Sequence, residues 1–213
     1  MKINVSETFA SFQGTGALAG QRQFFVRTQG CSIKCPIRHI CDEPHALQAN
    51  SNFSQQIETR DLVKMAIDAV GHRGWIHITG GEPLDNLKAW KHLVSESQIA
   101  GLRVHTQTSG MIDHKMPMGH GGKVTVSPKG ISKNLKLRHG SELVLVAAPW
   151  VNAEIAMNFP LETSFDHYYI APVHLGGGKW SNDKAVDLVE RLSKKGQSQW
   201  RLTHQLHKIF GIR

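Results

Sequence analysis

The sequence predicts an α/β fold: a partial, open β/α barrel with a reduced set of helices. Three observations carry this. Apolar stretches of strand character alternate with stretches of helical period, the pattern of a mainly parallel sheet. Three helices stand against six or seven strands, and 213 residues fall short of the roughly 250 that a full eight-fold barrel needs. Glycine and proline punctuate every strand, as turns between short elements require.

Taken in order, Phe24-Phe25-Val26-Arg27 is a β-prone run that ends at Gly30. Residues 31–54 follow with neither helical nor strand period and read as a functional loop. From Thr59, a suitable N-cap, Leu62, Ala66 and Val70 share one helical face with Val63 and Ile67 beside them. Trp75-Ile76-His77-Ile78 is a strand running into Thr79-Gly80-Gly81-Glu82-Pro83. A second helix spans about Leu87 to Ala100, with Leu87, Trp90 and Val94 inward and Gly101 as its stop. Strands are expected at 102–107, 124–127, 143–147 and 168–170. The third helix, Asn182 to Lys195, turns Ala185, Val189 and Leu192 inward and closes at Gly196, before a last strand at 199–202. The whole chain, 1–213, is read as one domain with a loop at 30–54 and a closing tail at 199–213.

Composition narrows the class. Hydrophobic residues make up 40% and charged residues 20%, ordinary for a globular protein. No run approaches the roughly 18 apolar residues of a membrane span, and the N-terminal residues lack the apolar stretch of a signal peptide, so a cytosolic protein is expected. The net charge of +8 suits nucleic acid or a small anionic substrate. The basic residues are scattered, however, and the densest stretch, Lys129 to Arg138, has no interleaved aromatics. A basic solvated surface is the simpler reading.

The only cysteines are Cys31, Cys35 and Cys41, in a C-x3-C-x5-C loop. A disulfide framework calls for an even number spread along the chain; three clustered thiols point to metal. Three thiolates can hold three irons of a four-iron cluster and leave the fourth open to another ligand. Alternatively His39 or His45 completes a four-ligand zinc site, and the loop alone leaves both open. The second constellation is Gly80-Gly81-Glu82-Pro83 at a strand end, where ligands of parallel sheets bind. Its glycines allow close backbone approach, and Glu82 offers a carboxylate to an ammonium group.

A three-cysteine loop followed by a strand ending in Gly-Gly-Glu-Pro resembles the radical S-adenosylmethionine superfamily. Further blocks resemble the 7-carboxy-7-deazaguanine synthase family within it. These are Ser11-Phe12-Gln13-Gly14-Thr15-Gly16, Phe25-Val26-Arg27-Thr28-Gln29-Gly30-Cys31, Gln107-Thr108-Ser109-Gly110, Val124-Thr125-Val126-Ser127-Pro128-Lys129, and a close running from Trp200-Arg201 through Gln205 to His207-Lys208. With the strand end there are six, in the family's order.

The resemblance implies a partial barrel of the radical S-adenosylmethionine type and a ring contraction of 6-carboxy-5,6,7,8-tetrahydropterin to 7-carboxy-7-deazaguanine, with loss of ammonia. It implies a [4Fe-4S] cluster on Cys31, Cys35 and Cys41, and S-adenosylmethionine against Gly81, Glu82, Ser109, Ser127, Pro128 and Lys129. It places the pterin against Phe12, Gln13, Gly14, Arg27, Thr79 and the chain's carboxylate at Arg213. Arg27 suits the substrate carboxylate, since a guanidinium binds it bidentately. Also implied are Mg2+, an electron donor of flavodoxin or ferredoxin type, and a homodimer; a membrane or nucleic acid is not an expected partner. The chain departs from the family pattern in three places. Its second cysteine gap is five residues instead of two, Thr15 replaces a glutamate, and Glu43 stands where a hydroxyl would meet Mg2+. A carboxylate is also a hard oxygen ligand.

Two other readings are weighed: a glycyl-radical-activating enzyme, which shares the loop but lacks the Ser-Pro-Lys block and the tail, and a zinc-binding, nucleic-acid-associated protein. His77 and His105 lie within strand patterns and are read as satisfied core histidines. His204 and His207 are read as tail packing, and the five tryptophans as core.

Overall fold

The structure, a computed structural model, describes residues 1–48, 52, 54–113, 122–176 and 179–212. Its strands are β1 (Lys2–Phe12), β2 (Arg22–Thr28), β3 (Gln55–Glu58), β4 (Trp75–Gly80), β5 (Arg103–Thr108), β6 (Lys123–Val126), β7 (His139–Val146), β8 (Ser164–Ala171), β9 (His174–Gly176), β10 (Lys179–Trp180) and β11 (Trp200–Leu202). Helices α1 (Thr59–Val70), α2 (Leu87–Ile99), α3 (Ala153–Glu162), α4 (Asn182–Lys194) and the single-turn α5 (Leu206–Ile209) complete it. Among the described residues no helix is long and apolar enough to cross a membrane.

Nine strands form one sheet in the order β11-β8-β7-β6-β5-β4-β2-β1-β3, and β9 and β10 form a small ribbon. From β2 through β11 neighbours run parallel. At the other edge β1 pairs antiparallel with β2 and β3. The end strands β3 and β11 do not meet, so the sheet is open, as the helix count predicts.

Strand residues alternate between the two faces. Ile76, Ile78, Leu143, Leu145 and Ile170, all 0% exposed, pack with Leu62 of α1, Leu93 of α2 and Leu192 of α4. Each such side chain contributes about 1.5–3 kcal/mol when fully buried. The opposite, concave face carries Gln23, His77, His105, Thr125 and Glu142, all buried.

Several expectations are corrected. Thr59 is not a cap but the first residue of α1, where Glu58 is the N-cap, and its hydroxyl lies 2.9 Å from His92 Nδ1. Helix α2 is capped by the Asn86 side chain, which accepts from the Ala89 amide at 3.2 Å, and Gly101 follows it at φ 83°. Helix α3 is absent from the sequence reading because Pro160 sits inside it. Its start is nonetheless well built, with Asn152 accepting from the Ile155 amide at 2.9 Å. Trp75, Trp90 and Trp200 are core, whereas Trp180 is only half-buried and lies beside the rings of His174 and His204.

Candidate active site

The carboxyl ends of the parallel strands open on a cavity of about 260 Å³, walled from Phe12 at the end of β1 to Ala171 at the end of β8. Strands from β1 through β8 across the sheet, with the cysteine loop and the tail, thus enclose it.

The cysteine loop closes one side. It leaves β2 at Gly30, whose amide donates to the Ala46 carbonyl at 2.8 Å, and Ser32 is held by Asp85 through its amide at 2.8 Å and its hydroxyl at 2.5 Å. The long second gap is taken up by a 3-10 turn, Arg38–Ile40. The Arg38 guanidinium fastens that turn by donating to the carbonyls of Cys31, Ile33 and Leu47. The three thiols are free and all line the cavity. Burial pushes the Cys31 and Cys41 thiols above their ordinary value, so a bound cation is what would turn them into ligating thiolates. Among the described residues no group of three His, Cys, Asp or Glu side chains is closed on a metal ion. The three cavity-lining thiols are the donors the loop offers to a cluster.

The glycine-rich strand end closes the next side. Gly80 has φ 109°, in the region that favours glycine, and a Cβ at Gly81 would run into the Gly30 carbonyl oxygen. The Gly81 amide donates to Thr28 at 3.0 Å and the Glu82 amide to Gly30 at 2.9 Å, locking strand end to cysteine loop. The Glu82 carboxylate, 2% exposed, accepts from the Leu84 amide (3.1 Å), the Thr108 hydroxyl (2.6 Å), and the amide and hydroxyl of Ser109 (2.9 and 2.5 Å). Four donors fill its acceptor positions and tie β4 to β5. Beyond it Lys129 donates to the Ser127 hydroxyl at 3.0 Å.

The third side is built from β1, β2 and the tail. Arg27 lies between Glu7 and Glu43, at 2.6 Å from the latter, with its guanidinium 4.9 Å from the centre of the Phe9 ring. Burial raises the Glu43 carboxyl to about 7, against the opposing pull of Arg27. The opening loop is clamped from the tail: Leu206 donates to the Gly14 carbonyl and the Gly16 amide to the Thr203 hydroxyl, both at 3.0 Å. Glu142 accepts from the Ala17 amide and from Thr125 at 2.6 Å each. Lys208 pairs with Asp42 at 3.2 Å and joins the tail to the cysteine loop. His207 packs over Gly14, whose hydrogen is all that fits there.

Of the residues predicted for the site, Cys31, Cys35, Cys41, Glu43, Gly81, Glu82, Ser109, Ser127, Lys129, Phe12, Gln13, Gly14, Arg27 and Thr79 all line this cavity. Pro128 is not among its lining residues, and Arg213 lies outside the described residues. Sequence reasoning missed His77, Gln107 and Gln205, which also line it. The alternation of β4 offered a signal: His77 stands two residues before Thr79, on the same face. His105 is satisfied, as expected, by Gln23 and Thr125. His77 differs: neither of its ring nitrogens has a partner at hydrogen-bond geometry, and Gln107 is the polar side chain beside it.

An open, mostly parallel barrel with a three-cysteine loop and a Gly-Gly-Glu-Pro strand end on one cavity defines a protein of radical S-adenosylmethionine chemistry, with its [4Fe-4S] cluster. No family model matches the chain. A 7-carboxy-7-deazaguanine synthase of Synechocystis sp. is 31% identical over 216 residues, covering 98% of this chain and 93% of that protein. Proteins of the same name from Bradyrhizobium diazoefficiens and Aquifex aeolicus are 29% and 26% identical, over 100% and 99% of this chain and 100% and 94% of their own lengths. The crystal structure of QueE from Escherichia coli has the same fold, with TM-score 0.71 over 97% of this chain and 95% of that one, at 22% identity. The chain belongs to the 7-carboxy-7-deazaguanine synthase family, a family of enzymes.

Proposed function

We propose that this enzyme contracts the ring of 6-carboxy-5,6,7,8-tetrahydropterin to 7-carboxy-7-deazaguanine, releasing ammonia, in the biosynthesis of 7-deazapurines of the queuosine type. One observation carries the reading: in a chain 31% identical to a relative of that name, the residues matched to cluster, cofactor and pterin line a single cavity. The relatives do not favour a glycyl-radical-activating or zinc-binding role.

In this reading Cys31, Cys35 and Cys41 hold the cluster. Cluster and S-adenosylmethionine, when bound, supply the radical that removes an unactivated hydrogen, which side-chain acids and bases cannot do. The chain's own residues position and shield. Gly81, Glu82, Ser109, Ser127, Pro128 and Lys129 form the cofactor's side. Glu82 would meet its ammonium, and the glycines let the backbone approach. Phe12, Gln13, Gly14, Arg27 and Thr79 form the pterin's side, with the carboxylate of Arg213 as a further contact. Glu43 is the ligand assigned to Mg2+; a cation drawing it away would leave the facing edge of Arg27 to the substrate carboxylate. The tail excludes water by closing over Gly14. We further read residues 1–213 as one domain with cluster loop 30–54 and tail 199–213, working in the cytoplasm as a homodimer and reduced by a flavodoxin- or ferredoxin-type donor.

The test is an anaerobic assay of reconstituted enzyme with reductant, S-adenosylmethionine and the carboxytetrahydropterin. Product is expected only when all three are present. Formation of 5′-deoxyadenosine with the pterin left intact would overturn the substrate.

A further inference from the structure

Two histidines stand side by side on the concave face, and their surroundings differ. His105 on β5 has Nδ1 3.0 Å from Gln23 Oε1 and Nε2 2.8 Å from Thr125 Oγ1. His77, its register partner on β4, is 1% exposed; neither ring nitrogen has a partner at hydrogen-bond geometry, and the polar side chain beside it is that of Gln107, which also lines the cavity. The His77 ring is held between two others, with centroids 4.0 Å from His105 and 4.6 Å from Phe25. Its orientation is therefore set by packing, and it lines the cavity beside Thr79 and Arg27. Burial, with His105 and Arg27 adding to it and the neighbouring Gln107 side chain opposing, holds this imidazole well below its ordinary pKa, so as a neutral ring it offers one donor and one acceptor. A buried polar group without a partner is costly unless something meets it.

We propose that His77 is a specificity-determining substrate contact, one ring nitrogen hydrogen-bonding a polar atom of the pterin ring system. This rests on the pterin reading given above. The register pairs Arg27 with Thr79 and Phe25 with His77, so His77 lies one same-face step deeper than the guanidinium assigned to the carboxylate. That step is two residues, roughly 6.6 Å along a strand, comparable with the long dimension of a two-ring heterocycle. A substrate anchored by its carboxylate at Arg27 brings its rings to His77.

The test is calorimetric binding of 6-carboxy-5,6,7,8-tetrahydropterin to anaerobically reconstituted enzyme carrying S-adenosylmethionine, without reductant. His77→Phe keeps a ring between Phe25 and His105 and removes both nitrogens. It should weaken pterin binding at least tenfold while S-adenosylmethionine affinity stays within twofold. His77→Gln, which restores a donor and an acceptor, should bind the pterin more tightly than His77→Phe. Equal pterin affinity in wild type and His77→Phe overturns the inference and leaves the substrate reading standing; no pterin binding by wild type overturns both. Should the variants fail to fold, wild-type enzyme labelled with 15N in its histidine rings serves instead. The pterin should shift a buried imidazole that does not titrate, and no such shift overturns the inference.

Discussion

The two faces of the sheet come from the same strands and are built for different ends. Toward the helices stand Ile76, Ile78, Leu143, Leu145 and Ile170, closed off from water. Toward the concavity the same strands present His77, His105, Thr125 and Glu142, equally buried but polar. Period-two alternation makes this possible, since neighbouring residues point opposite ways. Burial here does not mean an apolar core: one face packs against the helices, and the other carries a buried polar network from which His77 reaches the cavity.

The sharpest way to break the comparison is at the cavity. Replacing Cys31, Cys35 or Cys41 by alanine should abolish 5′-deoxyadenosine formation and lower bound iron, with little change in the urea midpoint of the apo protein. Gly81→Ala should be nearly as damaging, because the new methyl meets the Gly30 carbonyl and must part the strand end from the cysteine loop. Loss of S-adenosylmethionine binding, read by calorimetry, checks this. On the helix-facing side, Leu145→Ala should cost about 3 kcal/mol of unfolding free energy, by the same amount at every pH, with kcat/KM of the remaining folded enzyme near wild type.

The most gradual effect sharpens the contrast through pH. Burial depresses His105 from 6.5 to about 3, so between those values the unfolded chain binds a proton that the native state refuses. Stability contributed by this group is present above about 6.5 and is lost as pH falls toward 3. The slope is at most about 1.4 kcal/mol per pH unit. Urea titrations from pH 7 to pH 4 should show it, and His105→Gln should flatten the slope while lowering stability at pH 7.

The central strands and α1, α2 and α4 were legible because each has an unbroken period. Strand β1 was not: Ile3 and Val5 are buried, but a register shift between Val5 and Glu7 resets the alternation. Helix α3 was hidden by Pro160, which argues against a helix in any single-sequence reading. The site was legible where motifs are contiguous, as in the cysteine loop and the strand end. What sequence could not give is partnership. His77 and His105 look alike along the chain, and only the neighbours supplied by β2 and β6 distinguish the satisfied ring from the unsatisfied one.

The strand order has a consequence for how the molecule assembles. Apart from the β1–β2 hairpin, the pairings of the large sheet join strands that are not close in sequence or need a crossover, so each waits on closure of an intervening stretch of chain. Refolding from denaturant is expected to begin at that hairpin and to proceed slowly, the sheet zipping outward as successive crossovers dock.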